Sequence, residues 1–347
     1  MQEILSLTSF VVNTDIKENL KQELQKYKSI LIIAGNTAYS KFKHKLDYAL
    51  TSDFYLTHAK ECSYLDINKI LNECEGKSFD LVLAIGGGKV IDTSKYIANK
   101  LNLEIITIPT IAATCAAVSA LSVIYEDEKF KELALFKNPP LKTFIDLETI
   151  KNAPKRFLIA GIGDTMAKFY EFDLQLKYAK ANNIRVNYSN HLGKICSILC
   201  KDLNYEYAKS LNDDLSFKNV VMSIIVNTGY VSRSINIEYN GAFAHATCYA
   251  ISYDKLVERE FLHGELVAFG VLVQLVLEKN YDEYERLVKF YKEINLPTKL
   301  SDFSNTLDTS KIAELILASS DVKNLISLGF KVNKEDLKQA LIYKKEI

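Results

Sequence analysis

The stretch "LAIGGGKVIDTSK" (Leu83–Lys95) decides the fold, because three consecutive glycines stand between an apolar run and a helix-like run. After a strand and before a helix, Gly86, Gly87 and Gly88 can present backbone N–H groups and a helix N-terminus to phosphate oxygens. A tight turn that merely requires positive φ is the structural alternative. The pattern matches neither G-x-G-x-x-G nor a P-loop, so this stretch alone leaves both interpretations open.

Two charged residues follow the glycines in the first turns of the predicted helix. Lys89 could add a positive charge beside a phosphate, although its long side chain can also point elsewhere. Asp92 would repel a phosphate that it faced. We therefore expect Asp92 to order the loop or to contact the nicotinamide end of a cofactor.

The first 150 residues alternate short apolar runs with helical patterns. The runs that predict strands are Ser29–Gly35, Asp53–His58, Phe79–Ile85, Leu103–Pro109 and Lys142–Leu147. Such alternation predicts βαβ units and a parallel sheet covered on both faces, with ligands at the carboxyl ends of the strands, where the glycines lie. After "NAPKRFLIAGIGD" (Asn152–Asp164) the pattern is helical to Ile347. We therefore predict an α/β nucleotide-binding domain over residues 1–150 and an all-α domain over residues 151–347.

Composition favours a small-molecule partner. Lysine plus arginine (43) balances aspartate plus glutamate (43), so no overall charge draws the chain to nucleic acid or to an anionic membrane. The start, "MQEILSLTSF", lacks the features of a signal peptide. The uncharged run Ile105–Tyr125 contains Pro109 and several hydroxyl residues, and we interpret it as a buried strand, a polar loop and a helix start. Six cysteines without CxxC pairs predict reduced thiols in the cytoplasm.

A loop of small residues follows about twenty residues after the glycines, in "TIPTIAATCAAVSALSVIY" (Thr107–Tyr125). Thr110, Thr114 and Ser119 could bind phosphate or ribose, and the alanines between them allow close approach. The alternative is a buried, closely packed entry to a helix.

Four motifs in order make the chain resemble a known family. "GGGKVIDTSK", "IPTIAATCAAVSALSVIY", "APKRFLIAGIGDTMAKFYE" and "FLHGELVAFGVLVQLVLE" together resemble the glycerol dehydrogenase branch of the iron-containing alcohol dehydrogenase superfamily. The resemblance implies a Rossmann-like nucleotide-binding domain followed by an all-α metal-binding domain, which is a dehydroquinate synthase-like fold. It also implies NAD or NADP as cofactor, and we expect a homo-oligomer.

The resemblance implies which residues of this chain contact the cofactor. The glycine triplet matches the loop that holds the cofactor pyrophosphate, and Asn36 stands roughly where relatives have an acid beside the adenine ribose. A neutral Asn36 would not repel a 2′-phosphate, so we expect NADP(H) to be usable. The other positions that match cofactor contacts are Lys89, Thr110, Ser119, Leu121 and Tyr125.

The resemblance also implies one divalent metal ion. Taken alone, His245 and His263 could be structural histidines, and Asp164 could be a helix N-cap. The family pattern binds its metal through an aspartate and two histidines, which match these three residues. Three protein ligands with an open position suit Zn²⁺, which we favour, and also Fe²⁺. Cys248 stands where relatives often carry another histidine.

The implied reaction is hydride transfer between nicotinamide C4 and a small alcohol or polyol. One departure favours a 2-oxo acid reductase instead: "ATCAA" replaces the usual "STDAP" and puts Cys115 at an aspartate that contacts the polyol, as in a hydroxycarboxylate dehydrogenase sub-branch. A dehydroquinate-synthase-like lyase needs more basic residues near the metal positions than we find. A non-catalytic nucleotide-binding protein would not need the Asp-His-His set.

Overall fold

The computed structural model describes residues 5–126 and 129–344 of the chain. Residues up to Lys155 form one compact unit, and residues from Arg156 onward form a second. The predicted boundary at residue 150 lies in the short helix before this division. The ends of the two predicted domains, residues 1–4 and 345–347, lie outside the described range, as does the beginning of "MQEILSLTSF".

The first unit contains a six-stranded sheet and a separate two-stranded hairpin. The strands are β1 (Ser9–Asn13), β2 (Ser29–Ala34), β3 (Asp53–His58), β4 (Leu81–Gly86), β5 (Glu104–Pro109), β6 (Leu121–Glu126), β7 (Lys129–Leu135) and β8 (Lys142–Asp146). The helices are α1 (Lys17–Leu24), α2 (Asn36–Ala49), α3 (Tyr64–Glu73), α4 (Gly88–Leu101) and α5 (Leu147–Lys151). Every pairing in the large sheet is parallel, which confirms the predicted fold class.

The strand order β1-β8-β5-β4-β2-β3 contains a change of direction. The chain leaves β2 to add β3 on one side and then returns to add β4 on the other side. Ligands of open parallel sheets bind at such a switch point, beyond the carboxyl ends of the strands. Here the Gly35 N–H donates to the Ile85 carbonyl oxygen at 3.1 Å, which holds the ends of β2 and β4 together. The core strands are buried on both faces, as their unbroken apolar runs require.

Three strands differ from the sequence prediction, among them β7, which we did not predict as a strand. The prediction of a helix start at the end of Ile105–Tyr125 is wrong, because Leu121–Glu126 is strand β6 and pairs antiparallel with β7. β-branched and aromatic residues in "LSVIYE" favour a strand, and this outweighs the helix-like run of alanines before it. Strand β1 was not predicted. It is a half-exposed edge strand without a strong apolar run.

The second unit is helical. Its helices are α6 (Lys155–Ala181), α7 (Tyr188–Tyr207), α8 (Asp214–Met222), α9 (Thr228–Ser234), α10 (Phe243–Ile251), α11 (Lys255–Glu260), α12 (His263–Leu277), α13 (Tyr281–Glu293), α14 (Thr309–Ala318), α15 (Ser320–Ser327) and α16 (Lys334–Ile342). A π-helical turn, Ser223–Asn227, joins α8 to α9, and 3-10 turns lie at Ile237–Tyr239 and Leu300–Asp302. Among the described residues, none of the helices has the length and apolar character needed to cross a membrane.

Candidate metal centre and nucleotide-binding loop

Helices α6 and α12 touch through their backbones at two glycines. A Cβ atom on Gly264 would lie 1.8 Å from the Ala160 carbonyl oxygen, and one on Gly163 would lie 2.3 Å from the Gly264 carbonyl oxygen. Only glycine permits this approach. Since Gly163 precedes Asp164 and Gly264 follows His263, the crossing brings these two side chains to the same place.

Helix α10 is held against α12 in the same way. A Cβ atom on Gly270 would lie 2.3 Å from the Ala244 carbonyl oxygen, so the two helices are in backbone contact there. His245 follows Ala244 directly. The contact between α10 and α12 therefore places His245 beside Asp164 and His263.

These crossings bring one donor atom each from Asp164, His245 and His263 within 4.8 Å of one another. Asp164 Oδ1 lies 3.4 Å from His245 Nε2 and 3.8 Å from His263 Nε2. Asp164 and His245 are buried, whereas the side chain of His263 keeps 36% of its exposure, so the cluster can be reached from that side. The aspartate lies in the interior of α6, so the N-cap alternative is wrong.

The cluster has the character of a cation site. Among the residues that the structure describes, none donates a hydrogen bond to the buried Asp164 Oδ1. A buried carboxylate oxygen without a donor is costly unless a cation compensates it. One carboxylate and two imidazoles are donors that Zn²⁺ and Fe²⁺ both accept. The residues present therefore fit a divalent metal ion.

The pKa values of the three groups diverge for identifiable reasons. Burial acts to raise the pKa of Asp164, but the imidazoles of His245 and His263 hold it well below its usual range. Burial acts to lower the pKa of His245, but the charge of Glu171 raises it to about 9. Partial burial lowers the pKa of His263, despite the opposing charge of Asp164. The charges of neighbouring groups therefore outweigh burial at Asp164 and His245, whereas burial outweighs them at His263.

Sequence reasoning missed the residues that support the cluster. Glu171 Oε2 lies 2.5 Å from His245 Nδ1. Glu265 accepts the Leu262 N–H at 2.8 Å and both ends of the Arg156 guanidinium at 2.6 and 2.7 Å, which fixes the start of α12 and hence His263. The pattern S/T-x-x-E at a helix start would have drawn attention to Glu265, but Leu262 occupies the cap position.

The glycine triplet lies at the carboxyl end of β4, at the switch point of the sheet. The alternative that the turn needs positive φ is wrong, because none of the three glycines has φ in that region. Gly86 and Gly87 are packed against the side chains of Val90 and Ile111. The N-cap residue of α4 is Gly87, which has no side chain to cap the helix, and a helix N-terminus of this kind favours an anion.

Two predicted cofactor residues lie beside the triplet, and the side chain of a third, Lys89, forms an ion pair with Glu61. The Thr110 N–H donates to the Gly86 carbonyl oxygen at 3.1 Å. Thr114 Oγ1 lies 3.1 Å from where a Cβ on Gly88 would be. The Lys89 ammonium pairs with Glu61 at 2.8 Å and lies 5.1 Å from the centre of the Tyr125 ring.

Other predicted cofactor residues form a buried polar network at β6. Asp92 accepts the Val123 N–H at 3.0 Å and pairs with the Lys95 ammonium at 2.8 Å. The same ammonium donates to Ser119 Oγ at 3.0 Å and to the Leu121 carbonyl oxygen. Asp92 thus orders this segment, and cofactor contacts by Asp92, Ser119 and Leu121 stay predictions.

The last two predicted residues lie at the start of a helix and in a turn. Asn36 is exposed and begins α2 just beyond the carboxyl end of β2. Cys115 is half-buried, and its carbonyl oxygen accepts the N–H groups of Val118 and Ser119 at 3.0 and 3.1 Å. Its side chain is therefore carried on a tight turn.

Known proteins resemble this chain in sequence and in structure. The profile of the family described as "Iron-containing alcohol dehydrogenase" matches residues 8–144. "Hydroxycarboxylate dehydrogenase A" of Escherichia coli is 32% identical over 290 residues, which cover 81% of this chain and 80% of the relative. "Glycerol dehydrogenase" of Thermotoga maritima is 34% identical over 268 residues, covering 73% and 71% of the two chains.

The fold agrees with these sequence matches. The crystal structure of glycerol dehydrogenase from Schizosaccharomyces pombe superposes with a TM-score of 0.85 and 26% identity, over 98% of this chain and 89% of that one. The matched lengths include both compact units. The chain therefore belongs to the iron-containing alcohol dehydrogenase family, in the branch that contains the glycerol dehydrogenases.

Proposed function

We propose that this dehydrogenase holds one divalent metal ion at Asp164, His245 and His263 and transfers hydride between a small alcohol or polyol and a nicotinamide cofactor. The observation that carries the proposal is the convergence of three ligand atoms around a buried carboxylate oxygen without a donor. When bound, such an ion polarises the substrate oxygen and stabilises negative charge on it. We favour Zn²⁺ over Fe²⁺, and metal analysis of the protein as purified decides between them.

The chain's own residues bind and orient the reactants. We assign the cofactor pyrophosphate to the backbone N–H groups at Gly86–Gly88 and the start of α4, where a helix N-terminus favours an anion. In the oxidation direction the carbinol C–H bond breaks, its hydride adds to nicotinamide C4, and the hydroxyl proton leaves to water. The cofactor can be NAD or NADP, because Asn36 carries no charge to repel a 2′-phosphate.

The test combines metal content with a substrate panel. The purified protein is incubated with alcohols and oxo acids while the absorbance of NADH or NADPH is followed. His263→Ala should keep the fold and lose about 100-fold or more in kcat/KM, since a metal supplies several kcal/mol and each 1.4 kcal/mol is tenfold. His191→Ala, an exposed histidine on α7, is the matched control. Full activity of His263→Ala would contradict the proposal.

A second candidate is a 2-oxo acid reductase. It is favoured by the thiol of Cys115 in place of a carboxylate, and by the name of the relative in Escherichia coli. A thiol leaves a polyol hydroxyl without a strong acceptor and does not repel an anionic substrate. The ratio of oxo acid reduction to glycerol oxidation distinguishes the candidates. The named relatives are dehydrogenases, which favours redox chemistry over a lyase reaction.

We also propose a cytoplasmic homo-oligomer. The six cysteines carry thiols rather than disulfides, which suits a reducing compartment. Light scattering coupled to size-exclusion chromatography measures the assembly, and a monomer would contradict this part of the proposal.

A further inference from the structure

One face of α6 carries three buried charged residues. Asp164, Lys168 and Glu171 are four and three residues apart, so their side chains follow one another along the same side of the helix. Asp164 belongs to the cluster that it forms with His245 and His263. Glu171 is the most deeply buried of the three, with 1% of its surface exposed, and it belongs to no part of the site described so far except through His245.

Both oxygens of Glu171 are held by α10. Oε1 accepts the Ala242 N–H at 2.7 Å and the His245 N–H at 2.9 Å, at the N-terminus of that helix. Oε2 lies 2.5 Å from His245 Nδ1. The two backbone N–H groups donate to Oε1, and such hydrogen bonds favour the ionised form of a carboxyl group, so Glu171 is held as a carboxylate. A carboxylate can only accept hydrogen bonds, and His245 Nδ1 must therefore be the donor.

We infer that Glu171 is a positioning residue, which fixes the tautomer and the ring orientation of His245 so that Nε2 is presented to the metal ion. With the proton held on Nδ1 by the carboxylate, the lone pair lies on Nε2, the nitrogen 3.4 Å from Asp164 Oδ1. The inference rests on the proposed metal site.

The Nδ1 atom of the other histidine, His263, has a weaker hydrogen-bonding partner than that of His245. His263 Nδ1 lies 3.3 Å from the Cys248 thiol, whose sulfur is also 3.8 Å from the His263 carbonyl oxygen. Thiols are weak donors and weak acceptors. Loss of Glu171 should therefore weaken metal binding more than loss of Cys248.

The decisive variant is Glu171→Gln. Its amide oxygen can still accept the two N–H groups that hold Oε1, which directs the amide NH₂ toward His245 Nδ1. That nitrogen must then accept, the ring proton moves to Nε2, and Nε2 can no longer bind a metal ion. We expect the affinity for Zn²⁺ to fall by about 10- to 100-fold, as is usual when a partner of a ligating histidine is lost. Competition with a chromophoric chelator measures this, and far-ultraviolet circular dichroism verifies the fold.

Two controls separate positioning from general disruption. Glu278→Gln changes a half-buried carboxylate of the same unit, which accepts a hydrogen bond from the Gln274 side-chain amide at 2.9 Å, and should leave Zn²⁺ affinity unchanged. Cys248→Ala should lose less than Glu171→Gln. A folded Glu171→Gln protein with the affinity of the unmodified protein would overturn the inference, and so would an equal loss in Glu278→Gln.

A measurement on the unmodified protein keeps the inference testable if Glu171→Gln does not fold. The imidazole ¹⁵N spectrum of the zinc-loaded protein should show a slowly exchanging Nδ1–H on His245, and its absence would overturn the inference. Failure of the unmodified protein to bind Zn²⁺ at all would instead contradict the proposed function, so the two failures can be told apart.

Discussion

Asp164 and Glu171 lie two turns apart on α6, yet only the role of Asp164 could be predicted from the sequence. Asp164 belongs to a motif, "GIGDTMAKF", that matches a family ligand position. Glu171 lies in "KFYEFDL", which looks like an ordinary helix, and its role arises only because the N-terminus of α10 packs onto it. At the residue scale, ligands are therefore predictable from motifs, whereas the residues that orient them depend on packing.

Cys115 tests the choice of substrate. Cys115→Asp should raise kcat/KM for glycerol and lower it for short 2-oxo acids, so that their ratio shifts by about tenfold or more, because a carboxylate accepts strongly from a hydroxyl and repels an anion. Steady-state kinetics with both substrates measure the ratio, and Cys115→Ser is the neutral control. No shift, or efficient glycerol oxidation by the unmodified enzyme, would leave Cys115 a packing residue.

Asn36 tests the choice of cofactor. Asn36→Asp should reduce use of NADP(H) by about tenfold or more relative to NAD(H), because a carboxylate near the adenine ribose repels a 2′-phosphate and accepts from a 2′-hydroxyl. The ratio of kcat/KM values for the two cofactors measures the effect. Asn152→Asp, an exposed position of the same unit, adds the same charge and should change nothing. A strong preference of the unmodified enzyme for NAD(H) would count against this role.

The elements that carry strong periodic signals were predicted, and those without them were not. The central strands are buried and mostly apolar, so β2, β4 and β5 were evident from the sequence. Strand β6 follows a run of small residues that suits a helix as well as a loop, and its partner β7 has two charged lysines and a glutamate. The helix crossings were not predicted, because the need for glycine at positions 163 and 264 arises only from the contact between the backbones of α6 and α12.

Gly264 tests the crossing of α6 and α12. Gly264→Ala should destabilise the protein by about 3 kcal/mol or more and weaken Zn²⁺ binding, because its Cβ would lie 1.8 Å from the Ala160 carbonyl oxygen and must displace His263 from Asp164. Denaturant unfolding and zinc titration measure the two effects. Gly76→Ala, where φ is +71° and no atom lies near, should cost some stability and leave zinc binding intact. Unimpaired zinc binding in Gly264→Ala would contradict the account.

On the scale of the whole molecule, the sequence predicted two kinds of architecture in the right order. The alternation of strands and helices predicted the parallel sheet, and the helical pattern predicted the second unit. The three ligands come from α6, α10 and α12. Asp164 and His263, the first and last of them, are 99 positions apart in the sequence. Only folding of the second unit assembles them, so their geometry could not be read from sequence spacing.

Metal binding should therefore stabilise one unit selectively. Zn²⁺ at 100 times its dissociation constant adds about 2.7 kcal/mol to the stability of the state that binds it. Hydrogen exchange should slow in peptides from α6, α10 and α12, with little change in peptides from β2, β4 and β5. Asp164→Asn should abolish the protection. Equal protection of both units would mean that zinc binds elsewhere or non-specifically.

The most direct test of the metal centre is an anomalous difference map from crystals of the zinc-loaded protein, with data collected on either side of the zinc absorption edge. We expect one strong peak in contact with a carboxylate oxygen of Asp164 and with Nε2 of both His245 and His263. A map without a peak there, or with the peak among other residues, would contradict this expectation.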